Sequence, residues 1–126
     1  MKGYVDGFVI PIAKNKVNAY AKIAKAAGKV WMDHGALEYW ECKANQLEIR
    51  DPMSKKMMKP FIHTYKLKKN ETVFFSYILY KSKKHRDSVN KKVMKDKRVT
   101  GMTDPMPFDM NRMCFGGFVP VVKMKR

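Results

Sequence analysis

The stretch TVFFSYILY, Thr72–Tyr80, decides the fold. Almost every residue in it is β-branched or aromatic, which is typical of a strand in the middle of a sheet. Successive side chains of a strand point to opposite faces, and both faces are apolar here: Phe75 and Tyr77 on one side, Phe74 and Ile78 on the other. We therefore predict a central strand that is covered on both faces.

Five segments around this strand carry helix or strand patterns, and with it their order along the chain is βαββαβ. The predicted strands are Tyr4–Ile12, Ala36–Lys43 and Arg112–Lys123, and the predicted helices run from Lys16 to about Asp33 and from about Lys83 to Lys95. Asn15 is expected to cap the first helix, which ends near His34 and Gly35, and Ser82 is expected to cap the second. In the last strand, Gly116 and Gly117 predict a bulge or a close approach of another backbone. This order predicts an α+β fold of the ferredoxin-like type, a four-stranded antiparallel sheet with both helices on one face.

Two helices cover only one face of such a sheet. The other face would leave either Val73, Phe75, Tyr77 and Leu79 or Phe74, Ile78 and Tyr80 in water, and an apolar patch of either kind requires a partner. A second copy of the chain, related by a two-fold axis, is the simplest cover. We therefore expect a homodimer whose two sheets close into a barrel.

The length of 126 residues fits one domain, which we place over residues 1–126. Within it, residues 45–70 lack a sustained period, include Pro52 and Pro60, and carry seven basic side chains. They are predicted as a long basic loop, with a short helical turn around Lys55–Met58.

The net charge of +16 is the one unusual feature of the composition. A polyanion partner would explain it, because cations that neutralise phosphates release counterions. Lysine supplies 22 of the 27 cations and arginine, the better ligand of phosphates and base edges, only five. A solvated surface with non-specific attraction for polyanions is the preferred interpretation.

Neither a membrane-spanning segment nor a signal peptide is present in the sequence pattern, so we expect a cytoplasmic protein with no membrane attachment. Cys42 and Cys114 are the only cysteines, and the predicted topology places them on opposite edge strands. They are expected to be reduced, small, buried apolar residues. No cysteine and histidine set has the spacing of a metal site, and no metal or cofactor is expected.

Five blocks of sequence resemble one known family across nearly the whole chain. They are YVDGFV (Tyr4–Val9), WMDHGALEYWEC (Trp31–Cys42), YKSKKHRDSVNKKVM (Tyr80–Met94), MPFD (Met106–Asp109) and RMCFGGF (Arg112–Phe118). Together they look like the YbaA-like bacterial family of unknown function. The resemblance implies the dimeric α+β barrel superfamily, which agrees with the barrel expected above and includes monooxygenases, isomerases and plain binding modules.

His34, at the end of the first helix, is the first candidate site residue because imidazole titrates near neutrality. Trp31 lies three residues before it on the same helix face, and Glu41 follows on the next strand, so His34 and Glu41 are proposed to reach one pocket. Trp31 and His34 also resemble the helix histidine and nearby tryptophan of haem-degrading relatives. The preferred alternative is a histidine that stabilises the helix C-terminus.

Asp6 is a carboxylate inside an apolar strand, where it needs a cation or a raised pKa. Arg112 is the predicted partner, and Asp6 is functional if it faces the barrel interior with Tyr4 and Phe8. A solvated position at a sheet edge is the equal alternative.

The sequence His85-Arg86-Asp87 resembles part of the kinase catalytic loop, but none of the other kinase motifs is present. We assign it a structural role: Ser82 with His85 at the helix start, and Arg86 with Asn90 or Asp87 with Lys91 along the helix surface.

These observations favour a barrel protein that binds a small aromatic or apolar molecule. Cofactor-free oxygenation and isomerisation are the candidate reactions, and the sequence leaves open whether there is catalysis. The expected ligand-binding residues are Trp31, Tyr4, Phe8, Tyr77 and Arg112, with His34, Glu41 and Asp6 as catalytic candidates. The alternatives are an RNA-associated basic protein and a protein-interaction module without catalysis.

Overall fold

The computed structural model describes residues 2–126, except for the side chains of Ile62 and Thr64. Its elements are β1 (Tyr4–Ala13), α1 (Val17–Asp33), β2 (Glu38–Lys43), α2 (Phe61–Tyr65), β3 (Glu71–Tyr80), α3 (Lys83–Val93), α4 (Lys97–Thr100) and β4 (Cys114–Phe118), with 3-10 turns at Lys14–Lys16 and Met110–Arg112. None of the described helices is long and apolar enough to cross a bilayer.

The four strands form one antiparallel sheet in the order β2-β3-β1-β4. The predicted α+β fold with a ferredoxin-like four-stranded sheet is therefore confirmed. β3 pairs with β1 along its whole length, from Tyr4 opposite Tyr80 to Ala13 opposite Glu71. Cys42 on β2 and Cys114 on β4 lie at opposite edges, as predicted, but Cys114 is exposed in the single chain rather than buried.

The core lies between the sheet and the two long helices. Ile10 and Ile12 of β1 pack with Phe74 of β3 against Tyr20 and Ala24 of α1. A second cluster joins the opposite ends of the same strands to α3, and its buried members are Tyr4, Val30, Ala36, Ile78, Tyr80, Val89 and Val93. Even-numbered residues of β1 and β3 therefore face the helices.

Close contact between α1 and β2 depends on Gly28. A Cβ atom at this position would lie 2.7 Å from the ring of Tyr39. The absence of a side chain lets the tyrosine ring lie directly on the helix.

Two predicted ends differ from the observed ones. Asn15 does not cap α1, because it lies in a 3-10 turn and the helix begins at Val17 without a side-chain cap. β4 ends at Phe118, because the sequence then enters Pro120, which has no N–H to donate. By contrast, Ser82 caps α3 as predicted, accepting a hydrogen bond from the His85 N–H at 3.0 Å.

No bulge interrupts β4, so the first of the two alternatives predicted for Gly116 and Gly117 is wrong. Each residue of β4 has a single partner on β1, from Val5 opposite Phe118 to Val9 opposite Cys114. The glycine at 117 instead accommodates a side chain, since a Cβ atom there would lie 2.1 Å from the Tyr4 hydroxyl.

The loop over residues 45–70 is more structured than predicted. Arg50 and Met57 form an isolated antiparallel bridge, and Lys55 adopts a left-handed φ of 63° in the turn between them. The helical turn predicted around Lys55–Met58 is therefore wrong. The helix in this loop is α2, which follows Pro60.

The sheet face that points away from the helices is covered by the loop near Pro11 and Val73, which are both buried, and is open elsewhere. We call this open part the open face, and the residues on it are Val5, Gly7, Val9, Glu38, Trp40, Cys42, Phe75, Tyr77, Leu79, Cys114, Gly116 and Phe118. The second cover predicted for β3 is therefore supplied by its own chain only at the start of the strand.

Candidate functional site

A small cavity lies between α1, the sheet and the segment that precedes β4. Its volume is about 230 Å³. We call it the helix-side cavity, and its lining residues are Phe8, Ile10, Tyr20, Ala27, Trp31, Tyr39, Trp40, Glu41, Ser76, Tyr77, Ile78, Met106, Phe108, Met110 and Met113. Aromatic rings and methionines form most of the wall, and Glu41 is the only lining residue with a charge.

The carboxyl group of Glu41 is held by two hydroxyl groups. The Tyr20 hydroxyl lies 2.8 Å from Oε1 and 2.7 Å from Oε2, and the Ser76 hydroxyl donates to Oε2 at 3.2 Å. No lysine, arginine or histidine of the described residues lies within 4.0 Å of this carboxyl. Burial raises the pKa of Glu41, and the two hydrogen bonds only partly oppose that shift.

Other shielded acids of the chain have a cation, which sets Glu41 apart. Asp6 pairs with Arg86 at 2.7 Å, and Glu71 pairs with Arg112 at 2.6 Å. Asp96 contacts both His34 and Arg98, and these hydrogen bonds lower its pKa. Glu41 differs from these three acids in that its partners are hydroxyl groups alone.

The alternation of β2 places Glu41 in this position. Trp40 and Cys42 face the open side, so Tyr39 and Glu41 face the helices, with Glu41 directly opposite Ser76 on β3. The Tyr20 ring is fixed by edge contacts with Phe74 and Phe108, whose centroids lie 4.9 Å and 5.6 Å away. The hydroxyl that holds Glu41 is thus rigidly placed.

Trp31 closes the α3 end of the cavity. Its indole Nε1 donates to Asn90 Oδ1 at 3.1 Å, and its ring packs on Tyr39 at a centroid distance of 6.3 Å. The Tyr80 hydroxyl donates to the same Asn90 oxygen at 3.4 Å. Asn90 therefore orients the tryptophan rather than pairing with Arg86, as the sequence suggested.

His34 lies away from the cavity, so the predicted pocket shared by His34 and Glu41 is wrong. Its Nε2 is 2.8 Å from Asp96 Oδ2, and Arg98 links that aspartate to Asp33 at the end of α1. As the C-cap residue of α1, His34 projects toward the start of α4. It connects two helix ends, which is close to the structural role preferred for it.

The cation that neutralises Asp6 is Arg86 and not Arg112. Asp6 is 2% exposed and faces the helices, so it lies neither on the open face nor at a sheet edge. Arg86 reaches it from α3, lies over the Tyr4 ring at 4.8 Å and also bonds Asp87 at 2.8 Å. Burial raises the pKa of Asp6, while Arg86 opposes the rise. The predicted pair of Asp87 with Lys91 is absent from the ion pairs of the described residues.

Arg112 ties the end of the sheet to the loop instead. It donates to Glu71 Oε2 at 2.6 Å and to the carbonyl of Tyr65 at 3.2 Å. It does not line the helix-side cavity, and neither does Tyr4. Of the predicted ligand-binding residues, Phe8 and Trp31 line it with side chains that face the helices, together with the catalytic candidate Glu41, whereas the Tyr77 side chain lies on the open face.

Sequence reasoning missed Tyr20, Ser76 and Phe108. Tyr20 belongs to the apolar stripe of α1, and such a stripe predicts only a place in the core. Ser76 was the available signal, because it is the one small polar residue inside a strand of large apolar ones. A buried serine needs a hydrogen-bond partner, and its partner is Glu41.

The open face forms a second, larger concavity of about 760 Å³. Its floor is low where Gly7 lies opposite Gly116, since neither residue has a side chain. The lining residues are Val5, Gly7, Phe8, Val9, Phe75, Tyr77, Leu79, Cys114, Phe115, Gly116, Phe118, Val119, Pro120 and Val122, and none is charged. Trp40 and Tyr77 stack nearby with centroids 5.9 Å apart.

Comparison with known proteins agrees with the resemblance seen in the sequence. Residues 3–110 match the model of a family described as "Protein of unknown function (DUF1428)". The chain belongs to this family. The matched range includes Tyr20, Glu41, Ser76 and Phe108, so most of the helix-side cavity lies inside the family domain.

Bacterial relatives match over almost their whole length. The chain is 39% identical over 119 residues to the "Uncharacterized protein YbaA" of Escherichia coli strain K12, covering 94% of this chain and 97% of the relative. Proteins of the same name from Escherichia coli O157:H7 and Shigella flexneri show the same identity and coverage. The predicted YbaA-like family is thereby confirmed.

Proposed function

We propose that this protein binds a small apolar or aromatic molecule in the helix-side cavity. The supporting observation is the composition of the wall, in which aromatic rings and methionines surround a single carboxyl, that of Glu41. Binding sites for small organic molecules share this character, mostly apolar with a few placed polar groups that fix orientation.

The size of the cavity limits the ligand to about one ring. An apolar cavity of about 150 Å³ is enough to bind benzene. A volume of about 230 Å³ therefore suits a six-membered ring with one or two small substituents.

Isomerisation and cofactor-free oxygenation are the two reactions proposed for such a ligand. Both begin when a proton leaves the bound molecule, and a carboxylate in an apolar site is a suitable acceptor. Glu41 is the acid that lines the cavity, so the enzymatic part of this proposal rests on it.

We further propose that the protein works as a homodimer in which a second copy covers the open face. Three aromatic side chains there are about half exposed: Trp40 at 50%, Phe75 at 52% and Phe118 at 59%. A covered aromatic side chain buries about 150–250 Å², so these three alone leave roughly 240–400 Å² of apolar surface in water. With the neighbouring valines added, this area is comparable to the largest patch on a typical monomer, about 300–600 Å².

A second copy is favoured as the cover because the concavity is free of charge. In a chain of net charge +16, a like-charged copy would be repelled by any lysine at the contact. The lining residues of the open face include none. Two such faces therefore meet with no lysine in the concavity, and the acid on this face, Glu38, is bonded to the Trp40 indole at 2.9 Å.

Ligand binding is tested by filling the cavity. Ala27 lines it, whereas the neighbouring Ala26 is exposed on the outer side of α1. We expect Ala27→Leu to weaken the binding of single-ring ketones and phenols, measured by calorimetry, at least tenfold. Ala26→Leu, the matched control, should leave the affinity unchanged. Equal affinities for the two variants would place the ligand elsewhere.

The dimer is tested by light scattering after size exclusion. Phe75 on the open face and Met94 at the end of α3 are almost equally exposed, at 52% and 54%. We expect twice the chain mass for the wild type and for Met94→Lys, and the mass of one chain for Phe75→Lys. A wild-type chain that is monomeric at micromolar concentration would refute the barrel.

A further inference from the structure

Glu41 is surrounded by proton donors that do not neutralise it. The titratable groups near it are Tyr20 and Lys25 of α1 and Tyr39 of its own strand. Lys25 lines the outer groove beside Glu41 but forms no ion pair with it, and β3 contributes only the Ser76 hydroxyl. Burial raises the pKa of Tyr20 far above its usual value, so this phenol acts as a donor and never as a base.

We propose that Glu41 is a catalytic acid and base that shifts a proton between two carbon atoms of a bound ketone. The substrate class is a neutral, single-ring, β,γ-unsaturated or otherwise enolisable carbonyl compound. This inference rests on the proposed binding of a small molecule in the helix-side cavity, and it adds the reaction and the chemistry of the substrate.

The step balances without any further reagent. The carboxylate of Glu41 removes a proton from the carbon next to the carbonyl, the C–H bond breaks, and its electron pair forms a dienolate with the charge on oxygen. The proton now on Glu41 then returns to the γ-carbon, which moves the double bond into conjugation and regenerates the carboxylate. No electrons are gained or lost, so neither an oxidant nor a metal ion is required.

The two hydroxyl groups on Glu41 suit both halves of this cycle. They hold the carboxylate in the resting state through charge-assisted hydrogen bonds at 2.7–3.2 Å. When Glu41 takes the proton, its charge disappears and those bonds weaken. Tyr20 and Ser76 are then free to turn their O–H groups toward the new negative oxygen of the dienolate, as donors in an oxyanion hole do.

The apolar wall contributes by keeping water away from the intermediate. Phe8, Phe108 and three methionines line the same cavity as the carboxyl. In such surroundings a carboxyl with a raised pKa is closer to the operating pH, where general acid–base catalysis is most efficient. Asp6 and His34 do not line this cavity: Asp6 pairs with Arg86 of α3, and His34 lies beside Asp96 at the end of α1.

The probe for this inference is cyclohex-3-enone, whose conversion to cyclohex-2-enone is followed by ultraviolet absorbance. We expect the wild type to accelerate the conversion over buffer, with a rate that rises with pH as Glu41 ionises. Glu41→Gln should lower the rate by about 10²–10⁴-fold, the usual contribution of a general acid–base group. Glu38→Gln is the matched control, because Glu38 lies on the same strand outside the cavity, bonded to the Trp40 indole. It should retain the wild-type rate.

Binding of the product, cyclohex-2-enone, is measured in parallel by calorimetry and separates the two proposals. Glu41→Gln should bind it with wild-type affinity, which also demonstrates that the variant is folded. A wild type that binds the ketone without accelerating the reaction, or a Glu41→Gln variant that keeps its rate within threefold, would overturn the inference while leaving the binding proposal intact. If the wild type binds neither cyclohex-2-enone nor other single-ring compounds, the proposed binding of a small molecule is itself refuted.

Discussion

Replacing Arg86 by methionine would leave Asp6 buried without its cation. The guanidinium lies 2.7 Å from Asp6 Oδ1 and covers the Tyr4 ring, while the aspartate is 2% exposed. Methionine has a similar length and would keep most of the packing against Tyr4. The substitution therefore removes the charge and the hydrogen bonds more than it removes volume.

The expected cost is large for a chain of this size. Removing one member of a buried ion pair typically destabilises a protein by about 3–5 kcal/mol. Total stabilities are about 5–15 kcal/mol, so the variant would lose between about a fifth and all of its free energy of unfolding. At about 4 °C per kcal/mol for this length, the melting temperature should fall by about 12–20 °C.

The dependence on pH identifies the cause of the loss. Burial already raises the pKa of Asp6 above its unfolded value, and Arg86 opposes the rise, so removing Arg86 raises it further. An acid with a raised folded pKa penalises folding above that pKa, and the penalty disappears as the pH falls through it. The loss of unfolding free energy caused by Arg86→Met, relative to the wild type, should therefore be smaller at pH 5 than at pH 7.

Urea unfolding of the wild type, Arg86→Met and the double variant with Asp6→Asn provides the measurement. The double variant should recover most of the loss at pH 7, since no charge then remains buried. Lys91→Met, at an exposed position of the same helix, should change stability by no more than about 0.5 kcal/mol. A loss below about 1 kcal/mol for Arg86→Met at pH 7, or a deficit that does not shrink in acid, would refute the reasoning.

Two further predictions concern the cavity wall. Because burial raises the pKa of Glu41, the wild type should lose stability relative to Glu41→Gln as the pH rises from about 4.3, the usual glutamate value, through the raised folded value. Urea unfolding at pH 4 and pH 8 checks this, and an unchanged difference between the two proteins would contradict it. Gly28→Ala should destabilise the fold, because the new methyl group would lie 2.7 Å from the Tyr39 ring. The overpacking cost is about 1–3 kcal/mol, offset by roughly 1 kcal/mol of helix preference, and a more stable variant in urea would show that the ring moves freely.

The order of the elements could be predicted because each has a local signal. Period-2 and period-3.6 patterns differ, and the serine at 82 and the glycine at 35 mark a helix start and a helix end. Gly35 does have the expected positive φ, 112°. The predicted start of α1 at Asn15 and the predicted continuation of β4 beyond Phe118 were wrong. Where these elements start and end depends on how far the neighbouring strand continues, and a local sequence pattern carries no information on that.

The partner of Asp6 could not be predicted for a different reason. Both faces of β1 are apolar, so alternation does not decide which face meets the helices. Once Asp6 is assigned to the wrong face, Arg112 on the neighbouring strand is the natural cation. Its true partner, Arg86, stands 80 positions later on α3, and pairing at that distance depends on how the helix is rotated over the sheet.

The cations of this chain are divided between the interior and the surface, and the division bears on Glu41. Three of the five arginines, at positions 86, 98 and 112, form ion pairs with the acids of the fold. Among the lysines of the described residues, Lys29 forms an ion pair, with Asp33 at 3.7 Å. The lysine excess therefore lies in water, where salt screens its field within about 8–10 Å. The pKa of Glu41 is therefore raised even in a chain of net charge +16. The arginines at 86, 98 and 112 pair with other acids, and the lysine side chains lie in water, so none of them neutralises this carboxyl.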